Sequence, residues 1–250
     1  MKRAVSSYIA KRLQTRKALL FALIDSENVS PSGSEKIAKS IAKAGADAIL
    51  VGGSTATDQL GLHAVIEHIK SVVTIPVILF PGNVTGVSPN ADAMLFMSLL
   101  NSNDPYFIIG AQALGALLVK RYDIETLPTG YIIAGEGGAA GFVGRIHAFP
   151  QDKPELVALY ALAAEYLGMR YVYLEAGSGV GNNISDETVK SVRRLYDGTL
   201  IVGGGIRDAS TARAKVLAGA DVVVVGNLLE AANFEATLTR IAKSVHNVGR

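Results

Sequence analysis

Glu175 opens the most suggestive segment of this 250-residue chain, Glu175-Ala176-Gly177-Ser178-Gly179, which follows directly on the apolar run Tyr171–Leu174. A carboxylate at the end of a buried run, with a glycine loop behind it, is placed for general-base work or for stabilising a developing cation. Two other apolar runs end in glycine. Leu200–Val202 leads into Gly203-Gly204-Gly205-Ile206-Arg207-Asp208 and a helical pattern near Ser210, and Val222–Val225 leads into Gly226-Asn227 and a further helix. Bare glycines let backbone N–H groups approach an oxyanion, and a helix N-terminus adds its dipole. The pair therefore reads as a phosphate pocket that needs no basic side chain. Asp25, in Asp25-Ser26-Glu27-Asn28, and Ser54, in Gly52-Gly53-Ser54-Thr55, follow two more apolar runs. They are hard oxygen donors suited to Mg2+ bridging substrate phosphates, although Asp25 could instead cap a helix beginning near Ser34.

Plainer readings exist for each segment: a surface glutamate, or glycines that merely turn the chain. The placement of all of them behind buried runs favours chemistry. Other motifs carry less. Gly135-Glu136-Gly137-Gly138-Ala139-Ala140 matches a dinucleotide fingerprint, but Phe142–His147 is not a convincing opening helix, so NAD binding is not expected. His63 and His68 stand five apart on one helix, off the spacing for shared ligation, and His147 and His246 have no partner in the sequence. Nothing resembles a Ser–His–Asp nucleophile set.

These segments need elements to hold them. Eight apolar runs read as strands: Leu19–Ile24, Ala48–Val51, Val77–Phe80, Met94–Met97, Tyr131–Ala134, Tyr171–Leu174, Leu200–Val202 and Val222–Val225. Consecutive apolar residues of this kind mark strands buried on both faces of a parallel sheet. Amphipathic stretches lie between them, among them Ser34–Lys43, Leu62–Ser71, Pro154–Leu167, Asp186–Leu195, Ser210–Leu217 and Leu229–Val245. Ser185 and Ser210 serve as expected N-caps, and Gly45, Gly168 and Gly219 as C-caps. Ala44–Leu50 and Ala218–Val225 repeat one helix–Gly–Ala–Asp–strand joint. The expected class is α/β, a single-domain (β/α)8 TIM-type barrel, with a doubly wound open sheet as the alternative. In such barrels the reacting groups sit at the carboxyl ends of the strands.

Bulk composition agrees. Hydrophobic residues make up 49% of the chain and charged residues 18%, enough for a large core. The net charge of +2 gives no reason to expect a nucleic-acid partner. The chain has no cysteine, which excludes disulfides and thiolate chemistry and fits a cytoplasmic location. Lys2, Arg3, Lys11, Arg12, Arg16 and Lys17 precede the apolar run Ala18–Ile24. That run is too short to span a membrane and has no cleavage pattern, so it reads as a strand behind a leading helix, Arg3–Lys17. The helix's charge reads as a solvated face, with peripheral contact to anionic lipid as the minor alternative.

Taken with Gly204-Gly205 and Gly226-Asn227, the segment Tyr173-Leu174-Glu175-Ala176-Gly177-Ser178-Gly179 resembles the geranylgeranylglyceryl phosphate synthase family and its bacterial PcrB relatives. LIDSEN, VGGST, ILFPGN, MLFMSLLNS, FIIGAQ, PTGYII and GFVGR follow in the family's order over nearly the whole chain. The resemblance implies transfer of a prenyl group from a prenyl diphosphate, with geranylgeranyl diphosphate the expected donor, to sn-glycerol 1-phosphate. The product carries the ether bond of archaeal-type membrane lipids. It further implies that Asp25 and Ser54 bind Mg2+, that Tyr173 to Gly179, Gly204-Gly205 and Gly226-Asn227 bind glycerol phosphate, and that the chain forms a homo-oligomer, a dimer or hexamer. One departure stands out. After Asp25 many members read Pro-Asp/Glu-Lys where this chain has Ser26-Glu27-Asn28, so a lysine is missing from its expected place. Tyr131, Ile132 and Ile133 with the Leu95–Leu100 region are candidates for an apolar trough, whose blocked end would set the prenyl length. Two rival readings remain: a phosphate-handling barrel isomerase or aldolase, marked by a strand-end lysine or paired acids, and a non-catalytic phosphometabolite-binding protein.

Overall fold

Each apolar run becomes a strand of one closed parallel barrel, in the order in which the runs occur along the chain. The computed structural model describes residues 4–53, 58–178, 183–231 and 233–248. Its strands are β1 (Leu19–Asp25), β2 (Ala48–Gly52), β3 (Val77–Leu79), β4 (Ala93–Leu99), β5 (Glu125–Gly137), β6 (Tyr171–Ser178), β7 (Thr199–Gly203) and β8 (Val222–Val225), with β8 closing on β1. The helices are α1 (Ala4–Thr15), α2 (Pro31–Ala44), α3 (Gln59–Val72), α4 (Ala111–Arg121), α5 (Gly138–Val143), α6 (Pro154–Tyr166), α7 (Asp186–Arg193), α8 (Ala209–Ala218) and α9 (Phe234–His246). This is the expected (β/α)8 fold, and it excludes the open sheet.

Side chains alternate across each strand. Leu19 and Phe21 of β1 pack inside the barrel with Leu50, Ile78, Leu95, Tyr173 and Val224. Leu20, Ala22 and Ile24 pack outward against Ile41 of α2 and Ile241 of α9. Both environments are apolar, which is why the strands read as unbroken hydrophobic runs.

Several boundaries differ from those read in the sequence. β5 begins six residues before Tyr131, and its Pro128 pairs with Phe96 in the ladder. Pro-Thr-Gly suggests a turn, but burial between two neighbouring strands overrides that local preference. α4, preceded by a π-helical turn at Tyr106–Gly110, has no counterpart in the sequence reading. Residues 80–92, between β3 and β4, contain no helix, so one crossover of the eightfold pattern is a loop. α5 opens directly after β5 but is only 6 residues long and ends at Val143, so Phe142–His147 opens no helix, as expected. Ser185 caps α7 and Gly45 ends α2, as expected. The cap of α8 is not Ser210 but Asp208, whose side chain accepts from the Thr211 N–H. Ser30 caps α2, so Asp25 does not.

The N-terminal helix closes the amino end of the barrel. Val5 and Ile9 of α1 join the interior cluster. Glu125, at the start of β5, accepts from the N–H groups of Val5 at 2.7 Å and Ser6 at 2.9 Å, which satisfies donors that a helix N-terminus leaves open. Asp47, ahead of β2, is fully buried and accepts hydrogen bonds from four directions. Arg12 Nη2 (2.8 Å) and Arg16 Nη1 (3.0 Å) donate to its Oδ1, while the Leu20 N–H (2.9 Å) and His246 Nε2 (2.7 Å) reach its Oδ2. Two of the six N-terminal cations are thus tied to a buried carboxylate. His246, given no role from the sequence, couples α9 to it.

Burial alone would raise the pKa of Asp47, but the His246 and Leu20 hydrogen bonds and the charge of Arg16 outweigh it and leave the value lowered. A lowered carboxylate pKa contributes stability above the unfolded value, and that stability is lost as pH falls through the folded one. Asp47→Asn should therefore cost about 3 kcal/mol in urea unfolding at neutral pH. The gap to the parent protein should narrow as pH is lowered through the carboxylate range. A constant gap would show that the charge of Asp47 is not what stabilises this end.

Candidate active site

The opposite end of the barrel opens into a cavity of about 670 Å³. Its wall contains Asp25, Gly53, Tyr173, Glu175, Gly177, Gly204, Gly205, Gly226 and Asn227, so all the strand-end segments picked out in the sequence converge on one space. Ser54 and Gly179, together with the side chain of Ser178, lie outside the described residues. Leu174 and Ala176 belong to the same strand, but their side chains face the helical layer around Ala161 and Val189, as alternation along a strand requires.

Glu175 is 7% exposed. Its Oε1 accepts from the Gly177 N–H at 2.7 Å, and Tyr173 also hydrogen-bonds the carboxylate. Burial raises the Glu175 pKa, partly offset by hydrogen bonds from the Gly177 N–H, the Tyr173 side chain and the Ala176 N–H. Burial and the neighbouring Glu175 charge push the Tyr173 and Tyr131 phenols well above their usual range, so both stay protonated. Phe80 stacks on Tyr173 with ring centroids 5.3 Å apart and meets Tyr131 edge-on at 5.8 Å. The carboxylate thus stands beside an aromatic wall.

Two glycines make the arrangement possible. Gly177 has φ +121°, and a Cβ on it would lie 2.5 Å from the Gly137 carbonyl carbon, where the ends of β5 and β6 pair. Gly204 has φ +80°, and a Cβ there would collide with Glu175 Oε1. Gly204→Val, the obvious probe of a phosphate pocket, would therefore also displace the carboxylate.

On the other side of the mouth, the Asp25 carboxylate accepts from the Glu27 N–H at 3.0 Å and from Asn28 Nδ2 at 3.1 Å. The pKa of Asp25 is raised by burial, with the Glu27 charge adding to that and the Glu27 N–H opposing it. A Cβ on Gly53 would meet both carboxylates, Glu27 Oε2 at 3.0 Å and Asp25 Oδ1 at 3.1 Å. Two hard oxygen donors converging on a space kept open by glycine fit a divalent cation. Glu27 went unnoticed in the sequence because only Asp25 directly ends the strand. Asn28, where a lysine was expected, is turned onto Asp25.

Away from these groups one stretch of the cavity wall is apolar. Leu95, Phe96, Met97, Leu99 and Tyr131 line it as expected, together with Phe107, Gly115, Val119 and Val143, which the sequence reading did not select. Ile132 does not belong here, because it packs outward against α6, and Ile133 lies in the interior cluster rather than on this wall. Gly115 of α4 is buried, and a Cβ on it would meet nothing within 4 Å. The missing side chain therefore leaves room in the trough.

The comparisons with known proteins agree with this geometry. Residues 13–245 match the PcrB family. The chain belongs to that family. Among its relatives, the geranylgeranylglyceryl phosphate synthase of Nitrosopumilus maritimus is 52% identical over 96% of each chain, and that of Cenarchaeum symbiosum 51% identical over 97% of this chain and 98% of the relative. The (S)-3-O-geranylgeranylglyceryl phosphate synthase of Thermoplasma acidophilum, solved in complex with its substrate sn-glycerol-1-phosphate, superposes with a TM-score of 0.93 at 36% identity, covering 99% of this chain and 100% of that one. A thiamine phosphate pyrophosphorylase from Pyrococcus furiosus, 13% identical with a TM-score of 0.60, shares the barrel alone with this PcrB-family chain.

Proposed function

We propose that this chain joins a prenyl diphosphate to sn-glycerol 1-phosphate through an ether bond, as a geranylgeranylglyceryl phosphate synthase. The observation that carries the reading is one cavity with a buried carboxylate and glycine-lined phosphate loops at its mouth and an apolar trough leading away from it. An isomerase or aldolase acting on a small phosphorylated substrate has no use for such a trough. A passive phosphate binder has no use for a desolvated carboxylate.

The phosphate of the acceptor rests on the backbone at Gly204-Gly205 and Gly226-Asn227. This leaves the glycerol hydroxyl to face Glu175. The allylic C–O bond breaks with its electron pair leaving on the diphosphate. The hydroxyl oxygen then bonds to the allylic carbon, and its proton passes to the Glu175 carboxylate. Tyr173, Tyr131 and Phe80 line the cavity, and the π-electrons of such rings favour positive charge on the allylic fragment. Asp25 and Glu27, with Ser54, would hold Mg2+, which when bound supplies positive charge for the departing diphosphate. Fixing both substrates in one cavity removes much of the entropy of their encounter.

The chain has no described helix long and apolar enough to cross a membrane. Its N-terminal helix lies at the barrel end remote from the cavity, with Arg12 and Arg16 turned onto Asp47, so that helix is not the route by which a prenyl donor reaches the trough.

Three measurements test the reading. Glu175→Gln keeps the size of the side chain and loses the basic oxygen, so single-turnover transfer should fall by about 10²–10⁴-fold. The acid limb of the parent kcat profile should lie above the ordinary glutamate value of 4.5, because the raised pKa delays ionisation, and it should vanish in the variant. A variant that reacts at the parent rate but binds glycerol phosphate tenfold more weakly would make Glu175 a substrate anchor instead. Asp25→Asn should raise the Mg2+ concentration needed for half-maximal activity by at least about tenfold, with the folded state intact. Unchanged Mg2+ dependence would remove the metal assignment. Gly115→Phe should fill the free volume beside α4, so the longest prenyl diphosphate accepted becomes shorter while geranyl diphosphate still reacts. Unaltered chain-length preference would place the trough elsewhere.

A further inference from the structure

We propose that Arg207 is the specificity-determining residue that gives this site its preference for a doubly charged phosphate on the acceptor. Among the described residues lining the cavity it is the one cationic side chain, against three carboxylates: Asp25, Glu175 and Glu230. Arg207 stands two positions after Gly205, in the loop that joins β7 to α8, and is exposed at the cavity rim.

Among the described residues its charge is not neutralised by an ion pair. Asp208, its chain neighbour, is occupied elsewhere: its carboxylate accepts from the Thr211 N–H at 2.8 Å, from Thr211 Oγ1 at 2.9 Å and from the Ser210 hydroxyl. Those bonds, the Ser210 one foremost, lower the Asp208 pKa to about 2. Lys215, further along α8, is buried and donates to the Ile184 carbonyl and to Asp186. Among the described residues no carboxylate forms an ion pair with Arg207.

The electrostatics then require something of it. Two anionic substrates must enter a cavity that already holds three carboxylates. Asp25 and Glu27 would hold a divalent cation that offsets the repulsion on the β1–β2 side, and nothing described on the β7 side offsets it except this guanidinium. Backbone N–H groups at Gly204-Gly205 set the shape of the phosphate subsite, but neutral donors discriminate weakly between one negative charge and two. A planar guanidinium donating to phosphate oxygens supplies that discrimination, and its field also raises the capture rate of the anion. The acceptor end is favoured over the diphosphate end because Arg207 belongs to the same short loop as Gly204-Gly205.

The inference rests on the reading that those glycines hold the acceptor phosphate, and a binding measurement separates the two. Calorimetric titration with sn-glycerol 1-phosphate alone should show Arg207→Ala weakened by about 10–100-fold, the range of a charge-assisted hydrogen bond, with Arg207→Lys recovering part of the loss. In steady-state kinetics the loss should sit in the KM of the acceptor rather than in kcat or in the KM of the prenyl diphosphate. The salt dependence of kcat/KM for the acceptor should flatten in Arg207→Ala. Equal affinity of parent and Arg207→Ala overturns the proposal, as does a loss confined to the prenyl diphosphate. A parent protein that binds glycerol phosphate through Arg207 yet transfers no prenyl group supports the proposal and overturns the assigned reaction. A parent that binds no glycerol phosphate overturns both.

Discussion

A buried carboxylate on a cavity wall needs donors that keep their protons, and Glu175 takes them from the Gly177 and Ala176 N–H groups and the Tyr173 phenol. That requirement organises the rest of the mouth. The Gly177 N–H points back at the carboxylate only because the chain turns through φ +121°, and the turn brings it against Gly137 at the end of β5. Gly204 must lack a side chain because the space is taken by Glu175 Oε1. Tyr173 can donate because burial keeps its phenol protonated, and the rings of Phe80 and Tyr131 supply the burial. The donors do not fully compensate for desolvation, so the Glu175 pKa stays raised. A raised pKa means the ionised form subtracts from stability at neutral pH, and it also makes the group a better base.

The trough follows from a second constraint, the loop that replaces a helix between β3 and β4. A crossover helix at residues 80–92 would pack over the outward face of β4. With only a loop there, Met94 and Phe96 line the cavity with Val87 of the loop and Gly115 and Val119 of α4. Phe80, at the start of the same loop, turns inward and stacks on Tyr173. One departure from the regular barrel therefore supplies both the apolar volume and part of the aromatic wall.

The strands and their order were legible because burial on both faces writes itself as consecutive apolar residues. The positions of Glu175, Asp25, Gly204-Gly205 and Gly226-Asn227 were legible because strand ends are sequence-local features. What escaped depends on contacts between distant segments. α4 follows a π-helical turn and its apolar pattern is interrupted by Gly115, so periodicity alone is ambiguous there. The true start of β5 was hidden by Pro128 and Gly130, which read as a turn until both neighbouring strands are in place. Glu27 shows itself as a partner of Asp25 only when Gly53 of β2's trailing loop comes between them. The resemblance to a known family supplied the substrates, which no spacing of residues in this chain could have named.

The two ends of the barrel handle buried polar groups differently, and the difference tracks function. At the amino end Asp47 and Glu125 are saturated with donors from α1, β1 and α9, an arrangement that stabilises. At the carboxyl end Gln112 of α4 gives both amide hydrogens to carbonyls, Met97 at 2.5 Å and Phe107 at 3.1 Å, and its buried Oε1 has no partner among the described residues. An unmet acceptor of that kind costs about 1–3 kcal/mol. The two bonds it makes fasten the π-helical turn carrying Phe107 to the end of β4, which fixes one wall of the trough. Ser98 does the same from the strand side by donating to the Ile108 carbonyl at 2.7 Å. A wall that borders open volume cannot be held by packing across the gap, so it is held by hydrogen bonds to its own backbone. The unsatisfied oxygen is the consequence of using a side-chain amide for that task.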